Sequence, residues 1–236
     1  MRPLEPGLRA GLSALCLPLA DAQINQCLDY LDLIGKWNRV YNLTAVRDPA
    51  EMLTHHLLDS LAVVAPLRRQ SQGRALKLLD VGAGAGLPGV VIAICCPEVD
   101  VTCVDTVAKK AAFVQQAAVT LKLPNLRGLH ARVETVASTD FDVVSSRAFA
   151  SLADFTAWSG AALARAGGGE GGRESDTPRA PGVWLAMKGK HPADEIAALP
   201  SGVEVFHVEQ LAVPGLGAER CIVWMRARMP ADRVGG

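Results

Sequence analysis

The chain is poor in aromatic side chains: 4 tryptophans, 2 tyrosines and 5 phenylalanines among 236 residues. So few rings exclude a sheet that stacks successive bases in the manner of single-strand binders. It also has no excess charge of either sign. Lys and Arg total 24, Asp and Glu total 24, so any attraction to nucleic acid must come from a local basic patch. There is no C-x-x-C, no H-E-x-x-H and no G-x-x-x-x-G-K-[ST]. The first two absences remove common zinc patterns and the third removes a P-loop. His55 and His56 are adjacent, so on a helix they point in different directions. The six cysteines, at 16, 27, 95, 96, 103 and 221, have apolar neighbours, as in "VVIAICCP" and "VTCVD". They read as buried, reduced thiols rather than disulfides or metal ligands, and no metal is expected.

Two apolar stretches imitate targeting signals and fail. "GLSALCLPLA" with Ala20 and Ala22 after it vaguely resembles a secretory leader, but Glu5 falls in the would-be basic region and a good amphipathic pattern follows directly. Residues 78–97 carry one charge over a membrane-length window, yet contain four glycines and two prolines. A strand–loop–helix explains them better than a spanning helix. The expectation is a soluble, cytoplasmic protein without membrane association.

The first seventy residues read as helical and form an expected extension, residues 1–70. Ile24, Leu28, Leu31 and Ile34 recur at helical spacing, ending near Trp37. "RDPAEML" starts another helix: Asp48 caps, Pro49 fits the first turn, and Glu51 follows three residues after the cap. Leu53, Leu57, Leu61 and Val64 mark its apolar face, Pro66 is expected to end it, and "RRQSQGRA" (68–75) to connect onward. Trp37, Tyr41 and Leu43 are expected to pack these helices onto the core, with Asn38 and Asn42 as turn formers. From residue 76 strands alternate with helices: "LKLLDV", "DVTCVD", "LRGLHA", "FDVVSS" and "GVWLAMK" are strands, and "GVEVFHVEQLAVPG" with "ERCIVWMRARM" an antiparallel pair. This predicts a mainly parallel, doubly wound α/β domain over residues 71–236. Its segment 166–182, rich in glycine, proline and charge, is expected to be a flexible surface loop.

"LLDVGAGAGLPG" (78–89) is the most informative stretch. It follows the first strand and opens a helix, where glycines let backbone approach a ligand. The second strand ends in Asp105, 23 residues after Gly82, where a carboxylate can accept from both ribose hydroxyls of an adenosine cofactor. NAD and S-adenosylmethionine both fit that description. Asp80, just before the glycines, discriminates: an anion there is awkward for a pyrophosphate but suits a sulfonium and an amino group. Registered on Gly82, the dinucleotide fingerprint places Leu87 where its third glycine belongs. From Gly84 the match starts two residues late and encloses Pro88. Methyl transfer is therefore favoured over hydride transfer.

The end of the fourth strand narrows the chemistry. "VVSSRAFAS" lacks the [N/D/S]-P-P-[Y/F/W] stretch of exocyclic-amine methyltransferases, and no cysteine stands in the fourth or fifth strand loop to attack a pyrimidine carbon. "KWNRVYNLTAVRDPAEMLTHHLLDSL" (36–61), "LLDVGAGAGLPGV", "VDTVAKKAAFVQ", "ARVE" (131–134), "SSRAFASL" and "LAMKGK" together resemble the RsmG family, also called GidB. The resemblance covers roughly residues 20–228. It implies a Rossmann-like class I methyltransferase fold that uses S-adenosylmethionine to methylate guanine N7 in the 530 loop of bacterial 16S ribosomal RNA. It implies cofactor contacts at Gly82, Leu87, Val133, Glu134 and Arg147, with Arg147 also at the substrate mouth; Asp80, Gly84, Gly86 and Asp105 join them from their places around the glycine loop and at the strand ends. Arg132, Lys188, Lys190 and Asn42 are candidates for RNA contact, the lysines within a basic rim that includes Lys109, Lys110, Arg127 and His191.

N7 carries an in-plane lone pair, so no general base is expected. An arginine bidentate to guanine O6 and N7 would block the reacting atom. Arg147 is therefore expected to bind O6 alone, a phosphate or the cofactor carboxylate, or else to pair with Asp142 or Asp154. The partner is expected to be 16S ribosomal RNA or the small ribosomal subunit, with no obligate protein partner. A protein or small-molecule substrate is the alternative.

Overall fold

The computed structural model describes residues 3–136, 140–164 and 180–228. The expected loop at 166–182 lies outside the described residues as far as residue 179.

The chain opens with α1 (Glu5–Ala14) and α2 (Asp21–Tyr41). On α2, Ile24, Cys27, Leu28, Tyr30, Leu31 and Ile34 are buried along one stripe, as the helical period requires. The helix outruns Trp37 and stops at Asn42, whose left-handed backbone (φ 48°) caps it. A continuous helical stretch follows: α3 (Pro49–Met52), a π-helical segment (Leu53–Leu58) and α4 (Asp59–Leu61). Asp48 starts it as expected, its Oδ1 accepting from the Ala50 and Glu51 N–H groups at 2.9 Å each. Pro66 does not end it. The chain turns at Ala62 and Val63, and α5 (Val64–Ser71) takes in Pro66 and the first half of the expected connector. Pro66 is the third residue of α5, where the N–H it lacks would have no intrahelical partner.

Five strands then run parallel: β1 (Leu76–Val81), β2 (Val99–Asp105), β3 (Leu126–His130), β4 (Val143–Arg147) and β5 (Val183–Lys188). The helices α6 (Gly89–Cys95), α7 (Ala108–Thr120) and α8 (Leu152–Ser159) follow β1, β2 and β4, and α9 (Ala193–Ala197) follows β5. β6 (Val203–Gln210) and β7 (Cys221–Ala227) form the expected antiparallel pair, with β7 inserted between β5 and β6. The order is β3-β2-β1-β4-β5-β7-β6. Strand order reverses between β1 and β4, and the crevice at their carboxyl ends is where open α/β sheets bind ligands.

β1 shows why the sheet is covered on both sides. Leu78 packs into the cluster under α1, α2, α6 and α7, while its neighbour Leu79 packs into the cluster with Phe155 and Trp184 on the opposite face. The first cluster runs without a break from Leu8 to Trp224, so the helical extension and the sheet share one core. Trp37 meets Phe113 of α7 at 5.4 Å between ring centroids, and Leu43 is buried. Tyr41 stays 40% exposed, its ring tilted against Trp37 at 5.0 Å between centroids. Five cysteines are buried and free. Cys16 departs from expectation: it is exposed, in the turn that leaves α1 with φ 50°. Among the described residues no helix is long and apolar enough to cross a membrane.

Candidate cofactor and substrate site

The backbone leaves β1 at Val81 and folds over the end of β2. The N–H groups of Gly82 and Ala83 both bond to the Val104 carbonyl, at 2.9 and 3.3 Å. Gly82, Gly84 and Gly86 all adopt positive φ, at 65°, 60° and 86°. They are glycines for different reasons. A Cβ on Gly82 would stand 2.5 Å from Phe149 Cδ2, whereas one on Gly84 would meet nothing nearer than 4.0 Å. Gly84 therefore presents bare backbone to open space, as a close-lying ligand requires. Leu87 is buried, so its side chain braces the loop from within.

Asp80 lies beneath this loop, with no exposed surface. Its Oδ2 accepts from Gly89 N–H at 2.9 Å, at the first turn of α6, and its Oδ1 from Ser145 Oγ at 2.9 Å. Ser145 is its register partner on β4. The carboxyl thus caps a helix and pins β1 to β4. Burial pushes its pKa up to about 6, opposed by the two hydrogen bonds. Asp105, at the end of β2, is nearly buried and carries the second turn of the site. Its Oδ2 accepts from Gly84 N–H at 3.0 Å and its Oδ1 from Val107 N–H at 2.8 Å. Each carboxylate oxygen has two acceptor positions, so both keep one free.

Arg147 closes β4 opposite the loop. Its Nη1 donates to the His55 carbonyl, in the π-helical segment, at 2.9 Å and to Asp59 Oδ2 at 3.0 Å. Asp59 is 2% exposed, and its Oδ1 accepts from Arg220 Nε at 2.9 Å. The expected partners of Arg147 are engaged elsewhere: Asp142 accepts from Lys77 N–H and Asp154 from Ser151. Asp142 stands at the opposite end of β4 and Asp154 in the first turn of α8, whereas Asp59 reaches Arg147 from α4. Beyond Arg147, Ala148 at φ 51° turns Phe149 onto Gly82, and Phe149 meets Phe155 and Trp158 edge-on at 6.3 and 5.8 Å.

Val133 and Glu134 form a short 3-10 turn after β3, with Val133 buried and Glu134 exposed. A bond from its own backbone and one from Arg132 at 3.0 Å hold the Glu134 carboxyl below its ordinary range. Arg132 is thereby paired. Lys188 is too: its Nζ donates to Glu195 Oε2 at 2.7 Å and to the Ala150 carbonyl at 3.2 Å. Lys190 is exposed. Asn42 is a helix cap whose Oδ1 accepts from Arg47 at 3.2 Å.

Two contributors escape the sequence. Tyr30, on the buried stripe of α2, donates its hydroxyl to the Ala85 carbonyl at 2.5 Å and so holds the glycine loop from below. Asp59 joins segments 88 and 161 residues away. The only hint of either is a polar atom on a face that the helical period buries: Leu57, Leu58, Asp59, Ser60 and Leu61 are all inside.

Known proteins share the fold. A SAM-dependent methyltransferase from Aquifex aeolicus superposes with a TM-score of 0.51 over 76% of this chain and 99% of its own, at 12% identity. TrmN from Thermus thermophilus gives 0.52 over 75% of this chain and 53% of its own, at 17% identity. Both likenesses are of fold. Sequence reaches further: a Ribosomal RNA small subunit methyltransferase G from a Polaromonas species is 68% identical over 98% of this chain and 97% of its own length. The pattern of the GidB family, described as rRNA small subunit methyltransferase G, matches residues 23–169, from the stripe of α2 through the glycine loop, Asp105 and Arg147. The chain belongs to the rRNA small subunit methyltransferase G (GidB) family.

Proposed function

We infer that the chain transfers a methyl group from S-adenosylmethionine to N7 of a guanine in 16S ribosomal RNA, presented as RNA or within the small subunit. The observation that carries this reading is the open backbone at Gly84, with Asp105 behind it and Arg147 across the β1–β4 crevice, in a chain of this family. The donor supplies a methyl group activated by its sulfonium.

Gly84 gives the donor a floor of bare backbone, while Gly82 and Gly86, packed against Phe149 and Val90, shape the turn around it. The free acceptor positions of Asp105 take the ribose hydroxyls, and Val133 with Glu134 borders the adenine. Asp80 is sealed under the floor, so it acts by fixing the loop and through its charge rather than by contact. With Nη1 committed, Arg147 keeps Nε and Nη2 without a bond among the described residues. These are the donors offered to a phosphate, to guanine O6 or to the cofactor carboxylate. Because Nη1 is tied down, the guanidinium is held in one orientation.

The target nitrogen needs no deprotonation, and among the described residues the carboxyl raised toward neutrality is Asp80, which is sealed in the core. Rate then comes from alignment of N7 with the methyl–sulfur axis and from exclusion of water, effects that together supply about 7–11 kcal/mol in well-oriented systems. The test incubates labelled S-adenosylmethionine with unmethylated small subunits, free 16S RNA and total protein. Label in RNA, on a base that becomes alkali- and borohydride-sensitive, is expected. Absence of label from both RNA samples overturns the reading.

A further inference from the structure

Away from the cofactor crevice, the extension carries a cleft of about 560 Å³ between the C-terminal half of α2 and the turn that enters α3. Lys36, Arg39 and Arg47 line it, with Asp32 as its one acid and Asn38 and Gly35 in its wall. Lys36 and Arg39 stand three residues apart on one helical face, and Arg47 reaches in from the turn. Elsewhere Arg9, Arg69, Arg132, Arg147, Arg220 and Arg226 each pair with a carboxylate, while Arg68 and Arg74 are spent on backbone carbonyls. Among the described residues Lys36, Arg39 and Arg47 pair with none, and Arg47 bonds only the Asn42 amide. A chain of zero net charge thus concentrates three unpaired cations against one carboxylate. One carboxylate offsets their mutual repulsion only in part, and a polyanion supplies the rest.

The cleft is also held in place. Buried Asn38 accepts from Thr44 N–H at 2.9 Å, Thr44 Oγ1 bonds His56 Nε2 at 2.7 Å, and the neighbouring His55 carbonyl accepts from Arg147. Three bonded steps therefore join its wall to the mouth of the cofactor site. A Cβ on Gly35 would meet nothing within 4 Å, so the wall is open there.

We propose that this cleft grips the phosphate backbone of the RNA substrate at nucleotides flanking the target guanine. The inference rests on the proposed function and adds where the RNA is held. Three cations without an aromatic ring in the lining suit phosphates, which position a nucleic acid without reading its sequence. An acidic ribosomal protein would suit the same charges, but continuity with Arg147 favours the RNA itself.

The experiment measures methyl transfer to free 16S RNA and to subunits as a function of RNA concentration and salt. It compares the native chain with the charge-reversed triple variant Lys36→Glu, Arg39→Glu, Arg47→Glu and with its neutral counterpart carrying glutamine at all three positions. Donor affinity and melting temperature are measured alongside, and the neutral variant keeps the test valid if the reversed one misfolds. Expected are a rise in KM for RNA of about tenfold or more and a shallower salt dependence, by about 0.7 in log–log slope per lost phosphate contact. Donor affinity stays the same. A natively melting neutral variant with unchanged KM and salt slope overturns the cleft while leaving the methyl transfer intact. A KM that rises on subunits and not on free RNA also overturns it, in favour of a protein contact. If the native chain labels no RNA, the function falls first and the cleft with it.

Discussion

Replacing Asp59 with asparagine tests how the substrate side is built. The carboxylate is 2% exposed and holds Arg147 and Arg220 at 3.0 and 2.9 Å. Stranding the partners of a fully buried ion pair costs about 3–5 kcal/mol. Here the two arginine side chains keep 21% and 25% of their surface. Water solvates them in part, and the asparagine carbonyl still accepts from one. The discounted loss is about 2–3 kcal/mol. At about 2–4 °C per kcal/mol for a chain of this size, melting falls by about 4–12 °C. An ordinary surface pair would cost under about 1 kcal/mol. Calorimetry at neutral pH reads the difference. Kinetics supply a second measurement, because an untethered Arg147 sacrifices alignment: kcat should fall by more than donor affinity does. A melting shift below about 2 °C together with unchanged kcat would refute the argument that Asp59 orients Arg147.

Other perturbations follow from the geometry. Gly82→Ala sets a Cβ against Phe149 on a positive-φ backbone, so it should abolish donor binding in a titration. Gly84→Ala meets no protein atom nearer than 4.0 Å, so its stability loss should be limited to the left-handed strain of about 1–2 kcal/mol while its Cβ enters the donor's place and weakens donor binding; a stability loss equal to that of Gly82→Ala would contradict this assignment. Tyr30→Phe leaves the buried Ala85 carbonyl without its donor, which should cost about 1–3 kcal/mol and weaken donor affinity from a distance; unaltered affinity and melting would remove Tyr30 from the site. Asp80 has a folded pKa near 6 against an ordinary 3.8, so the fold holds its proton more tightly than the unfolded chain. Its contribution is full below about pH 4 and declines as pH rises toward 6. Asp80→Asn should therefore gain on the native chain across that window, and a pH-independent difference in melting temperature argues against it.

Much of this was legible because it is local. Strand–helix alternation, the Asp48 cap and the glycine turn each declare themselves within a dozen residues, and β6–β7 pairing follows from two adjacent strands. Arg147 was legible as a position, at the end of the strand beside the loop. Its partner was not, since Asp59 is 88 residues away and no periodicity marks which acid meets which base. Asp80 illustrates a different limit. Its place before the glycines was plain, but whether it faces a ligand or the core depends on strand register, and the register sets it against Ser145. Pro66 misled because a proline that ends one helix and a proline in the first turn of the next look alike in sequence.

The Tyr30 contact makes α2 a lever. Tyr30 and Arg39 lie nine residues apart on one uninterrupted helix, a separation of about 13 Å at 1.5 Å per residue. A tilt of about five degrees imposed at the Arg39 end displaces the tyrosine end by about 1 Å on that geometry. Such a displacement exceeds the tolerance of a short hydrogen bond. Anything that leans on the outer half of α2 is therefore felt at Ala85, beneath the glycines, without passing through the sheet.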